Sequence, residues 1–190
     1  MKVKGKVLEF KQPQDKEIVE ETIVLGERPP CVPPDDTVPL VFVYGTLKQG
    51  HGNHRLLRDS EFIRRLSLAA QFYMINMGGF PALICDNDII SVHKPKTFKP
   101  STVSGELYRV PVSDMKYLDA LEGHPDFYKR DVLNVWPLKE QAYYYKLPPH
   151  YLLDRTTHRP LPNIDRLLMP DGVWKPTEDE TKWLEQTEVS

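Results

Sequence analysis

Two short stretches of the 190-residue sequence hold the residue types needed for acid–base work on a small anion. The first, VFVYGTLKQGHGNH at 41–54, is an apolar run that ends in a glycine-rich turn. Gly45 and Gly50 stand at the Gly-x-x-x-x-Gly spacing of a nucleotide cradle. His51 and Gly52 then fill the places where such a cradle needs a Lys for the outer phosphates and a Ser or Thr for magnesium. That argues against a nucleoside triphosphate and leaves room for a smaller anion. A buried strand that stops at Gly45 exposes the amides of Gly45, Thr46, Leu47 and Lys48 beyond the sheet, a nest that suits a carboxylate. The same residues also make a plain turn in which Thr46 bonds its own backbone.

The second stretch is LDALEGHPDFYKR at 118–130. Glu122 ends a helical pattern, where the negative end of the helix dipole and any screening from water raise its proton affinity toward the range of a neutral-pH general base. An exposed last-turn glutamate has the same sequence. Glu106 in SGELYRV and Asp119 in YLDALE are rival carboxylates, and Asp119 sits three residues before Glu122 on the same helix.

Other chemistries find less support. His51 and His54 are three apart, but no third ligand stands at a recognisable spacing, so no metal is expected. There is no Gly-x-Ser-x-Gly elbow, and Cys31 and Cys85 lack an activating context. In AYYYKL, Tyr143 and Tyr145 share one strand face and Tyr144 takes the other, so one hydroxyl set faces a pocket or a rim.

The elements that must position these residues follow from period and breakers. Ten of the eighteen prolines gather at two borders, ERPPCVPPDDTVP at 27–39 and LPPHYLLDRTTHRPLPNIDRLLMPDG at 147–172. They divide the chain into an N-terminal extension 1–37, a core domain 38–148 and a Pro-rich C-terminal extension 149–190, in which Thr177 caps a short helix. The N-terminal extension offers a strand at KVKGKVLEF and a strand or helix at EIVEETIVL. In the core, PLVFVYG suits a strand buried on both faces. SLAAQFYMINM, FPALICDN and VSGELYRV read as three more, and FYKRDVLNVWPL and QAYYYKL as a hairpin or meander. SDMKYLDALEG switches to a helical period through Met115, Leu118 and Leu121, with Ser113 as N-cap and Gly123 just past the end. The class is α+β with a mixed or barrel-like sheet, because long helical crossovers are absent. With 25 basic against 27 acidic residues there is no basic footprint for nucleic acid, and RDSEFIRR at 58–65 reads as a solvated face. No stretch has the length of a membrane span, no signal-peptide core is visible, and the sparse cysteines fit a reducing cytoplasmic compartment.

Together, VFVYGTLKQGHGNHRLL, LDALEGHPDFYKRDVL and AYYYK resemble the γ-glutamylcyclotransferase-like (AIG2-like) family, over about residues 40–147. Asn53 and His54 lean toward its γ-glutamylamine branch. The resemblance implies a small mixed β-barrel with short helices packed outside. It implies a Tyr44-Gly45-Thr46-Leu47 turn that holds the substrate's α-carboxylate, Glu122 as catalytic acid and base, and Tyr128 and Tyr145 around the substrate, with Tyr143 as the alternative to Tyr145. It further implies a small-molecule γ-glutamyl substrate cyclised to 5-oxoproline without metal or cofactor. A second reading keeps the pocket but makes the protein a non-catalytic binding or interaction module, its extensions contacting a protein partner.

Overall fold

The computed structural model describes residues 38–92, 100–135, 138–161 and 164–175. The strand expected at KVKGKVLEF, the strand or helix expected at EIVEETIVL and the helix capped by Thr177 lie outside the described residues. Strand β1, Leu40–Val43, is four apolar residues, all buried. Without polar alternation it has to be covered on both faces, and it occupies an inner position in the sheet. Its neighbours are β4, Ser101–Arg109, antiparallel, and β6, Glu140–Lys146, parallel. β2, Glu61–Asn76, pairs with β4 on one side and with β3, Pro81–Cys85, on the other, and β5, Lys129–Val135, forms the expected hairpin with β6. The order is β3-β2-β4-β1-β6-β5.

Register shifts between Phe62 and Arg64 and between Leu68 and Phe72 bend β2, as bulges do. The sheet curls far enough for the end of β6 to meet β3, where the Leu147 amide donates to Leu83 O at 2.8 Å. The Tyr44 hydroxyl sits in the same seam, donating to Tyr145 O at 2.8 Å and accepting from the Leu83 amide at 3.3 Å. The result is the mixed, barrel-like sheet with few short helices that the sequence indicated.

Alternation along β1 feeds two apolar clusters. Val41 and Val43 join the one that the helices cover, through Ile89, Met115 and Leu118. Leu40, Phe42 and Tyr44 join one made of strand residues and Trp174. Gly105 in β4 permits this packing, since a Cβ there would strike the Phe42 ring and stand 2.6 Å from Val43 O.

Several local expectations change. The strand expected from Ser67 begins at Glu61. The apolar run of β3 stops at Cys85, and Asp86 starts helix α1, Asp86–Val92, with Asp86 and Asp88 in its first turn, where acidic groups favour a helix start. Helix α2, Val112–Glu122, is not capped by Ser113. Pro111 takes the cap position with its φ already near the helical value, and the Ser113 hydroxyl donates to Asp114 Oδ1 instead. Gly123 ends α2 in the left-handed region at φ 63°, as its position suggests. Met115 and Leu118 are buried, but Leu121 is 40% exposed at a cavity rim.

Residues 149–175, set apart by the proline pattern, carry core side chains. Leu152, Ile164, Leu168 and Trp174 are buried, and Gly172 O accepts from the Ser104 amide of β4. A short helix α3, Ile164–Leu167, leads into β7, Leu168–Met169, which pairs with β2.

Candidate active site

A cavity of about 220 Å³ opens where β1 ends. Tyr44, Gly45, Thr46, Leu47, Glu122, Tyr128 and Tyr145 all line it, joined by Asn53, Phe80, Pro81, Leu121 and Phe127. The sequence gives no sign of Phe80, which the Gly78-Gly79 turn before β3 delivers. Phe127 was visible only as part of the aromatic DFYKR stretch.

The turn after β1 is fixed through its carbonyls. Gly45 O accepts from the Lys48 amide at 3.1 Å, Thr46 O from the Asn53 amide at 3.2 Å, and Leu47 O lies 3.1 Å from His54 Nδ1. The Thr46 hydroxyl takes a bond from Asn53 Nδ2 at 3.0 Å rather than closing on its own backbone. These contacts leave the amides of Gly45, Thr46 and Leu47 with no acceptor among the described residues. The Lys48 amide, expected with them, is taken by the turn. Lys48 instead anchors the rear, its Nζ donating to Trp174 O at 2.8 Å, while the Gln49 amide donates to Glu106 Oε2 at 2.8 Å. Gly45 is required by contact, since a Cβ there would come within 2.8 Å of Pro81 Cγ.

The three candidate carboxylates differ in their partners. Glu106 is buried, accepts from Gln49 N and the Tyr108 hydroxyl, and has Arg65 Nε at 3.5 Å. Asp119 takes Arg130 Nη1 on both oxygens, at 3.0 and 2.8 Å, and the Tyr145 hydroxyl at 2.7 Å. The Glu122 carboxylate has no hydrogen-bond or ion-pair partner among the described residues, and burial alone lifts its pKa from 4.5 to about 7. The left-handed Gly123 turns the chain back so that Phe127 N reaches Gly123 O and Tyr128 N reaches Glu122 O, which brings Tyr128 beside Glu122. The Tyr128 hydroxyl donates to Pro81 O at 3.0 Å.

Of the three consecutive tyrosines, Tyr145 lines the cavity. Tyr143 lies under the Arg130 guanidinium at 4.9 Å, and Tyr144 packs in the other cluster with its hydroxyl 3.4 Å from Cys85 Sγ. The cavity thus brings backbone donors, the Glu122 carboxylate and three phenols together within a mainly apolar lining that contains no Lys, Arg or His among the described residues.

A concave, mainly apolar cavity on a curled mixed sheet, with a few converging polar groups, is the layout of a small-molecule site. The chain belongs to the gamma-glutamyl cyclotransferase, AIG2-like family, whose profile matches residues 41–175. It is 37% identical over 112 residues to the gamma-glutamylaminecyclotransferase of Homo sapiens, covering 58% of this chain and 70% of that protein. It is 33% identical over 94 residues to a putative gamma-glutamylcyclotransferase of Vibrio cholerae, covering 50% of this chain and 70% of that protein. The crystal structure of an AIG2-like protein from Mus musculus shares the fold, with TM-score 0.50 and 24% identity over 73% of this chain and 89% of that one.

Proposed function

We propose that the protein cyclises a γ-glutamyl compound, of which a γ-glutamyl amine is the favoured form, to 5-oxoproline and the free amine. The observation that carries this is one cavity holding Glu122, whose carboxylate has no partner among the described residues and whose pKa desolvation raises to about 7, together with three amides that have no acceptor among those residues. The amides of Gly45, Thr46 and Leu47 receive the α-carboxylate. The substrate's α-ammonium cannot attack until it loses a proton, and Glu122 accepts it. The freed nitrogen then bonds to the γ-carbonyl carbon of the same molecule, closing a five-membered ring. The bond to the leaving nitrogen breaks as Glu122 returns the proton to it, and the ring nitrogen, still carrying two hydrogens, gives up one of them to the restored carboxylate, which passes it to the departing amine or to solvent and leaves the lactam N–H. Because both reacting groups belong to one molecule, holding the folded conformer supplies much of the acceleration, and no step calls for a metal or cofactor.

Release of 5-oxoproline is the test, measured on γ-L-glutamylethylamide, a γ-glutamyl amino acid and glutathione. Turnover of at least one supports the reaction and ranks the leaving groups. No release from any of them, with 5-oxoproline still binding, would leave a binding module on this fold.

A further inference from the structure

Three phenols line the cavity, and each has already committed its single hydroxyl proton. Tyr44 donates to Tyr145 O, Tyr128 to Pro81 O, and Tyr145 to Asp119 Oδ1. A phenol has one O–H, so what remains for a ligand is the oxygen lone pairs. The oxygen of Tyr44 also takes the Leu83 amide. Tyr128 and Tyr145 each keep a lone pair for a ligand in the cavity that Glu122 and the turn amides also line, and the Arg130 side chain lies close to the Tyr145 hydroxyl as well.

Tyr145 is held in this sense by a second layer. Asp119 could release the phenol only by giving up an acceptor bond within a cluster that is otherwise filled. Arg130 Nη1 spans both of its oxygens, the Arg130 amide is fixed on His124 Nδ1 at 3.1 Å, and the guanidinium lies over the Tyr143 ring. The cluster joins α2, β5 and β6. Asp119 and Arg130 do not line the cavity themselves and act on it through Tyr145.

We propose that Asp119 and Arg130 are positioning residues that fix Tyr145 as an acceptor for the substrate's α-ammonium; the inference rests on the γ-glutamyl reading above. An ammonium has three donors, and the cavity lining offers three acceptors in Tyr128 Oη, Tyr145 Oη and the Glu122 carboxylate. When Glu122 removes one proton, the amine keeps two N–H bonds to the phenols while its new lone pair attacks the carbonyl. A ligand without the α-amino group would find no use for these acceptors.

The test is calorimetry in a Glu122→Gln background, which prevents turnover, with γ-L-glutamylethylamide and its desamino counterpart N-ethylglutaramic acid. Tyr145→Phe and Asp119→Leu should each weaken the amino ligand about tenfold or more, as loss of a hydrogen bond to a charged group does. Both should leave the desamino ligand unchanged. Asp119→Asn, which keeps an acceptor oxygen for the phenol, should be mild, and Asp119→Leu added to Tyr145→Phe should cost nothing further. Equal weakening of both ligands, or of neither, overturns the proposal. The reaction is judged separately, by 5-oxoproline release from the wild-type protein, so failure of the chemistry and failure of the ammonium site give different results.

Discussion

A carboxyl that titrates near neutrality sets both rate and stability, and at Glu122 the two pull apart. The base is the ionised form, so kcat/KM should rise with pH through an apparent pKa near 7, the value that burial gives the free enzyme. A flat profile from pH 5.5 to 8 would remove Glu122 as the base. For stability, the folded pKa lies above the unfolded one, so the native state binds the extra proton. The contribution is fully present below about pH 4.5 and is lost as pH rises through about 7. At pH 8 the half-buried charge thus weighs against the fold. Glu122→Gln should therefore lower turnover by about 10²-fold or more while stabilising the fold at pH 8, with the gain shrinking toward pH 4.5 in urea melts. Equal stability of the two proteins at pH 8 would contradict a desolvated Glu122 carboxylate. Glu122 was legible as one helix-end carboxylate among three. That Glu106 and Asp119 are engaged was not legible, because Arg65 reaches Glu106 across the β2–β4 pairing and Arg130 and Tyr145 reach Asp119 from strands packed against α2, contacts that no local pattern states.

At the scale of elements, the turn after β1 reads charge through its backbone. 5-Oxoproline should bind the free protein about 1.5–3 kcal/mol more tightly than its carboxamide, the usual worth of hydrogen bonds to a charged group. Magnesium-ATP should not bind specifically, and calorimetry with the three ligands decides between these readings. β1, the period of α2 and the β5–β6 hairpin were legible because each carries an uninterrupted pattern closed by a breaker. The early start of β2 was hidden by the charges in Glu61, Arg64 and Arg65, the last of which is met by Glu106 across the β2–β4 pairing. α1 was hidden because β3 runs into it without a breaker, and β7 is too short, at 2 residues, to leave a pattern.

At the scale of the whole molecule, the prolines that mark a border by composition do not mark an end of packing. We propose that the folding unit extends to about residue 175. A chain ending after Pro148 should be insoluble or unfolded, because it lacks the buried Leu152, Ile164, Leu168 and Trp174, whereas one ending after Lys175 should keep a cooperative melt. Tyr44→Phe tests the seam between β3 and β6. Removing the hydroxyl strands the Leu83 amide and Tyr145 O, which should cost about 1–3 kcal/mol and speed amide exchange at Leu83 and Leu147. Unchanged exchange there would mean the seam is held elsewhere. The same seam also governs the order of events during synthesis. Tyr44 and Tyr145 are 101 positions apart, and β1 meets β6 only through a parallel pairing of that separation. Until β6 has left the ribosome, β1 is an apolar strand with one edge unpaired, and the cavity does not exist. Such long-range closure is slow and leaves that edge available for misassociation in the meantime. Nascent chains halted before residue 140 should therefore engage chaperones and bind no 5-oxoproline, and ligand binding by a nascent chain reports completion of the barrel.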